Sequence, residues 1–199
     1  MEQLWKYAVW LLAGILIVLT IVEASGENPY TPTARVRNAV SRTREILENQ
    51  ALDREEKKQV IKDIIVANFD VPGISQAVLG THWPKYKSRA GEFSVVFIAH
   101  LADLFVEKVP AEIIKGAFIT YRSERVDSGG TRATVYTHLI FNDYKLYVTF
   151  TLIFKDGEWR IYNIAVEWFG SFIGYFRTRV DNDLRVSSFD ELLDSLGRR

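Results

Sequence analysis

Histidine is the residue type in this chain best suited to acid–base chemistry or to metal ligation. His82, His100 and His138 are widely spaced, and no two of them have the i, i+4 spacing that places two histidines on one helix face around zinc. We therefore expect no metal site, and we expect these histidines at the surface or in helix packing. His138 with a nearby carboxylate is the one candidate for an acid–base pair inside a pocket.

Motifs that bind nucleotides or activate a serine are absent from the sequence. There is no G-x-x-x-x-G-K-[ST], no G-x-G-x-x-G and no G-x-S-x-G. The sequence therefore predicts a protein that catalyses no reaction and holds no cofactor, and any energy for transport would come from a partner.

Two charged residues border apolar runs: Glu167 ends the last predicted strand, and Arg177 follows the aromatic segment 172–176. One interpretation is an ion pair or hydrogen bonds that fix the last helices against the sheet. The other places Arg177 at the mouth of a cavity, where its planar guanidinium would contact a phosphate group. The sequence leaves both open.

The composition is that of one ordinary globular domain. Of 199 residues, 48% are hydrophobic, and 25 basic residues balance 25 acidic ones, so nothing marks the surface for nucleic acid. The chain has no cysteine, which excludes disulfides and thiolate chemistry.

The first 24 residues have the features of an export signal. Residues 7–22 are uncharged and almost wholly apolar, Lys6 precedes them, and Val22 and Ala24 are small residues at the positions that an export peptidase reads. Cleavage after Ala24 and retention as an N-terminal membrane anchor both leave the remainder on the exported side. Residues 25–33 form a polar linker, and the domain proper spans 34–199.

Helices are predicted on both sides of a run of strands. The first helix starts at Thr31-Pro32, and the second starts at Asp53 with Glu56 and ends near Asn68. Residues 74–79 form a short helix, which a loop at Trp83-Pro84 follows. Residues 93–105 belong to a long helix. Residues 171–184 and a segment starting at Ser188 are the last two helices.

From residue 115 the hydrophobic period changes to two. Turn signals at 128–130, 142–143 and 156–157 divide this part into four strands, at about 116–127, 131–141, 145–155 and 158–167. The expected fold is α+β: a four-stranded antiparallel twisted sheet covered by the N- and C-terminal helices around an apolar cavity.

Four stretches, in order along the chain, resemble the signature of the MlaC family, the periplasmic phospholipid-binding component of the Mla ABC transport system. They are FDVPGISQAVLGTHW at 69–83, the F-x-x-x-F helix at 93–105, GEWRIYNIAVE at 157–167, and Arg177-Thr178 with SFDELL at 188–193. The chain departs from the family after Glu167, where Trp168-Phe169-Gly170 replaces the usual G-[IV]-S-L and one extra residue precedes Arg177. This departure affects two features that the family resemblance implies at that edge, the headgroup contacts and the docking of partners.

The resemblance implies an MlaC-like (NTF2-like) fold with a deep pocket for the acyl chains of a phospholipid or, as in one branch of the family, a hopanoid. It also implies a periplasmic carrier between an inner-membrane Mla-type ABC transporter complex and an outer-membrane Mla lipoprotein. A membrane-anchored scaffold whose cleft is filled by protein is the alternative. The pocket lining is expected from the long helix, from alternate strand residues and from Arg177 at the mouth. These residues are Phe97, Leu101, Leu104, Phe105, Val135, Leu139, Val148, Phe150, Leu152, Ile164, Val166 and Arg177.

Overall fold

A computed structural model describes residues 28–109, 115–142, 144–168 and 170–197. The predicted export signal, residues 1–24, and the first part of the linker lie outside these ranges. Within the described ranges, no helix is both long enough and apolar enough to cross a bilayer.

Seven α-helices are described, five before the strands and two after them. Two 3₁₀ turns, Gly80–His82 and Lys87–Arg89, flank the fourth. The helices are α1 Pro32–Glu48, α2 Arg54–Asn68, α3 Val71–Leu79, α4 Trp83–Tyr86, α5 Ala90–Lys108, α6 Phe172–Val186 and α7 Phe189–Gly197.

The predicted helix starts are confirmed by their hydrogen bonds. The Thr31 side chain accepts from the Ala34 amide, and Asp53 and Glu56 form a reciprocal capping box. Ser188 and Glu191 form a second such box at the start of α7.

Two local predictions were wrong. The short helix begins at Val71 instead of residue 74, because Pro72 fits the first turn of a helix, where its missing N–H is not needed. The same property of Pro84 allows residues 83–86 to form α4 instead of a loop.

The sheet is antiparallel and its strands follow chain order, β1 to β5. The strands are β1 Phe118–Val126, β2 Arg132–Phe141, β3 Tyr144–Lys155, β4 Glu158–Val166 and β5 Gly170–Ser171. The α+β prediction is confirmed, with a two-residue fifth strand that was too short for any periodicity to reveal. Asp156 and Gly157 both have positive φ, +53° and +82°, as a two-residue hairpin turn requires.

One face of the sheet is the inner face, where alternate residues of β2, β3 and β4 are buried. The helix that contacts these strands most is α1, through β1, β2 and β4. By contrast, α5 packs mainly against α2, α3 and α7. Its Phe97 ring also meets Phe172 and Phe176 of α6. The free edge of β4 is covered at one end by Phe69, which forms a parallel bridge with Ile161, and at the other end by β5.

Candidate functional site

The strand residues predicted to line a pocket lie together on the inner face and are fully packed. Their exposed fractions are all 2% or less, and the α1 residues Val36, Ala39 and Val40, each at 0%, belong to the same core. The strand residues in question are Val135, Leu139, Val148, Phe150, Leu152, Ile164 and Val166.

The helical residues predicted for the same pocket pack elsewhere in that core. The Phe97 ring stacks on Phe93 at 5.4 Å between centroids and meets Phe176 edge-on at 5.0 Å. Leu101 and Phe105 are buried beside it in α5, and Leu104 is half-buried. Phe97 therefore belongs to an aromatic cluster between α5 and α6. That the strand and helix groups contact acyl chains stays a prediction.

An open cavity of about 630 Å³ lies beside α3 and α6. Such a volume is within the range of about 300–1,000 Å³ typical of small-ligand sites. It is lined by Gly73, Gln76, Ala77, Gly80, Thr81, Trp83, Pro84, Arg132, Ile153, Tyr162 and Arg177. Ile153 and Leu152 are neighbours in β3 and point to opposite faces, so this cavity lies on the outer side of the sheet from the buried inner face.

Arg177 lies in this cavity wall and also holds two helices together. Its Nε donates to the carbonyl oxygen of Ala77, at 2.7 Å, near the C-terminal end of α3. Gly80 makes room for it: a Cβ on Gly80 would lie 3.2 Å from Arg177 Cδ. Gly80 also has φ +52°, which a side chain would oppose. Arg177 thus makes a structural hydrogen bond, but the bond joins α6 to α3 instead of to the sheet, and its partner is not Glu167.

A second guanidinium contributes to the cavity. Arg132 pairs with Ile153 across β2 and β3, and its Cζ lies 5.8 Å from the ring centroid of Tyr162. Trp83, Ile153 and Tyr162 supply apolar wall between the two arginines. A cavity with two cations and apolar walls suits an amphiphile that carries a negative charge.

Arg132 and Tyr162 were missed by sequence reasoning. Tyr162 is the extra residue at a bulge in β4, where the pairing skips from Ile161 to Asn163, and no local pattern announces that bulge. In the sequence, Arg132 follows a hairpin turn and cannot be distinguished from an ordinary solvent-exposed arginine. Gly80 was predicted only as the end of the short helix and Trp83 only as part of a loop, and both also belong to the family signature.

The three histidines lie in three different environments. Burial, and then the nearby Lys145 and Arg122, lower the pKa of His138, so the charges acting on it are cationic and not the carboxylate of an acid–base pair. His82 Nε2 lies 3.0 Å from Asp181 Oδ1, and this contact, with the Arg185 charge, lowers the pKa of Asp181. Among the described residues, no three His, Asp or Glu side chains could hold a metal ion together.

Comparison with known proteins agrees with this architecture. A family model described as MlaC protein matches residues 37–198. A solved structure with the same fold is the phospholipid-binding protein of Ralstonia solanacearum in complex with a phospholipid, with a TM-score of 0.59 and 15% identity over 82% of this chain and 93% of that one. No curated protein matches the chain.

Proposed function

The chain belongs to the MlaC family, and on that premise we propose that it is a periplasmic phospholipid-binding carrier. The family match over residues 37–198, nearly the whole described fold, is the observation that carries this proposal. The Ralstonia solanacearum protein, which shares the fold, binds a phospholipid. The finer steps, shuttling between an inner-membrane Mla-type ABC transporter and an outer-membrane Mla lipoprotein, belong to the same proposal.

A carrier is needed because acyl chains leave a membrane at a high cost. Each methylene exposed to water costs roughly 0.8 kcal/mol, so one long chain costs on the order of 10 kcal/mol. Free diffusion of a phospholipid between two membranes is therefore negligible, and the carrier must cover the chain with apolar surface.

We place the phosphate of the cargo between Arg132 and Arg177, with the adjoining part of an acyl chain against Trp83, Ile153 and Tyr162. The cavity of about 630 Å³ has room for roughly twenty groups of the volume of a water molecule. Chains that exceed this space would have to pass the edge of β4 beside α3 and α6 to reach the layer between the sheet and α1, where the buried residues around Phe150 and Leu152 would separate. Hopanoid, which lacks the phosphate, would make less use of the two arginines.

Native mass spectrometry tests the proposal. The chain is purified from a Gram-negative periplasm without added lipid, and the ligand is extracted and identified. We expect phospholipid at about one molecule per chain. A folded chain that carries no lipid would contradict the carrier function and favour the scaffold.

Two variants of β3 test the position of the cargo. Ile153 lies half-buried in the cavity wall, whereas Thr149 is half-buried on the same face outside it. Ile153→Glu should remove most of the bound lipid, because it places a carboxylate in the apolar wall, and Thr149→Glu is the matched control. Equal lipid content in both variants would show that the cargo does not occupy this cavity.

A further inference from the structure

Four aromatic side chains are exposed at one end of the sheet, and we call them the aromatic rim. They are Phe118, Tyr144, Tyr147 and Trp168, with exposed fractions of 38%, 69%, 51% and 88%. The strand register places them at the same end of the sheet, because Phe118 starts β1 opposite Ile140, and Tyr144 starts β3 opposite Phe141. Tyr144 and Tyr147 point to opposite faces of β3. The turn after β4 joins them: the Glu167 amide donates to the Tyr147 carbonyl at 3.0 Å.

Trp168 has a backbone conformation that is unfavourable for a bulky residue. Its φ is +78°, in the left-handed region where a bulky side chain is strained and glycine is not. Gly170, two residues later, has φ +83° without that strain. A strained residue whose side chain is almost fully exposed contributes little to the core, which points to a contact outside the molecule.

The charges around the aromatic rim are mostly positive. Lys115, Arg122 and Lys145 are exposed there, and the Lys145 ammonium lies 5.6 Å from the ring centroid of Tyr147. The carboxylates described at this end include Glu167 and Glu48, and Glu48 is paired with Arg44, which also donates to the Lys115 and Ala117 carbonyls. Asp143 lies outside the described residues. The rim therefore suits a partner surface that is negatively charged.

We propose that the aromatic rim docks this protein on the interface of an anionic phospholipid bilayer. Trp and Tyr prefer the membrane interface because their rings are apolar at one end and polar at the other. Lysine and arginine beside them are attracted to anionic headgroups. Gly170, two residues after Trp168, lines one end of a cleft of about 590 Å³ that runs along α6 as far as Asp183.

A bilayer fits the rim better than a protein partner does. The aromatic residues that dominate protein interfaces sit in well-packed, desolvated pockets near the centre of a contact. The rim side chains instead project from separate strand ends and turns, as anchors that enter a fluid interface independently. The inference goes beyond the proposed function, since docking on a bilayer does not require a bound cargo.

Vesicle co-sedimentation tests the docking. The protein used is the exported chain purified from periplasm, and mass spectrometry identifies its N-terminal residue. Vesicles of phosphatidylcholine alone are compared with vesicles that also contain phosphatidylglycerol. We expect binding that increases with phosphatidylglycerol and decreases with salt. Lys145→Gln should weaken binding to the anionic vesicles about fivefold. Trp168→Ser should weaken it about tenfold.

Two further variants separate docking from folding. Tyr30, 82% exposed near the opposite end of the sheet, gives the matched control Tyr30→Ser, which should bind vesicles like the parent. Trp168→Gly should melt at or above the parent temperature, because glycine accepts the positive φ, and yet bind vesicles as poorly as Trp168→Ser.

Three results would overturn the proposal. In the first, the parent protein binds neither kind of vesicle. In the second, the Trp168 variants bind vesicles as well as Tyr30→Ser does. In the third, Trp168→Ser is no longer captured by the purified transporter complex, although its affinity for vesicles is unchanged. The last result would assign the rim to a protein. Cargo measured separately by native mass spectrometry keeps the two proposals distinct: lipid without vesicle binding refutes docking alone, and vesicle binding without lipid refutes the carrier alone.

Discussion

Gly80→Ala is the substitution whose effect follows most directly from the structure of the cavity wall. The backbone at Gly80 has φ +52° and ψ −120°, which is the mirror image of the extended region. A residue with a Cβ held there is strained by about 1–3 kcal/mol. The new Cβ would also lie 3.2 Å from Cδ and 3.3 Å from Cγ of Arg177, so the arginine side chain must shift.

The shift endangers the hydrogen bond from Arg177 Nε to the Ala77 carbonyl. This bond lies in an exposed setting, so we take about 1 kcal/mol for it, within the usual range for a hydrogen bond to a charged group after solvent screening. We therefore expect Gly80→Ala to lower the free energy of unfolding by about 2–4 kcal/mol. Urea denaturation followed by circular dichroism measures it.

A double-mutant cycle with Arg177→Ala separates the two contributions. In the Arg177→Ala background the clash and the hydrogen bond are both gone, so Gly80→Ala should cost about 1 kcal/mol less than in the parent. Gly91→Ala is the control, because Gly91 lies in the first turn of α5 and a Cβ added there would meet no atom within 4 Å. It should leave stability unchanged or raise it by up to about 1 kcal/mol. A loss below about 1 kcal/mol for Gly80→Ala, or additive effects in the cycle, would refute the reasoning.

Three other perturbations test the fold and its charges. Leu152→Ala, at a fully buried position on the inner face, should destabilise by about 2–5 kcal/mol in urea, and a cost close to that of half-buried Ile153→Ala would contradict the packing. Asp53→Ala removes one half of the capping box of α2 and should cost about 1 kcal/mol; an unchanged urea midpoint would mean that the box contributes nothing. The pKa of His138 in the folded chain lies below its ordinary value, so the unfolded chain binds more protons and stability should fall as the pH drops below about 6.5. His138→Gln should reduce this part of the pH dependence, which urea midpoints of parent and variant above and below that pH would measure. The same change of midpoint with pH in both proteins would contradict the prediction.

The order and type of the long elements were predictable because each carries a strong local signal. The capping box at Asp53 and Glu56 and the 3.6-residue period after it define α2 without reference to the rest of the chain. The turn at Asp156-Gly157 and the alternation on either side define the β3–β4 hairpin in the same way. The two-residue β5 has no such signal, since it exists only through its pairing with Ala165 and Val166.

Which layers meet was harder to predict than which elements form. A stripe of Phe97, Leu101 and Phe105 shows that α5 buries one face, but the pattern is the same whether that face meets a sheet or other helices. In the structure this face meets helices, since α5 packs mainly against α2, α3 and α7. The bulge at Tyr162 likewise depends on how β3 and β4 align, so the residues of the open cavity could not be assembled from periodicity.

The structural and the ligand-binding interpretations of Arg177 are compatible, because they use different atoms of one side chain. Guanidinium has five N–H donors in a fixed plane, and the bond to Ala77 takes only the one on Nε. Two terminal nitrogens remain on an exposed side chain that lines the cavity, in the geometry that contacts a phosphate with two parallel hydrogen bonds. The Nε bond fixes the guanidinium plane before any ligand arrives, which lowers the entropy lost on binding. Arg177→Lys retains the charge but neither the plane nor the Nε donor. It should therefore lower both the stability of the α3–α6 contact and the phospholipid content, whereas a purely structural arginine would leave the lipid content of the folded variant unchanged.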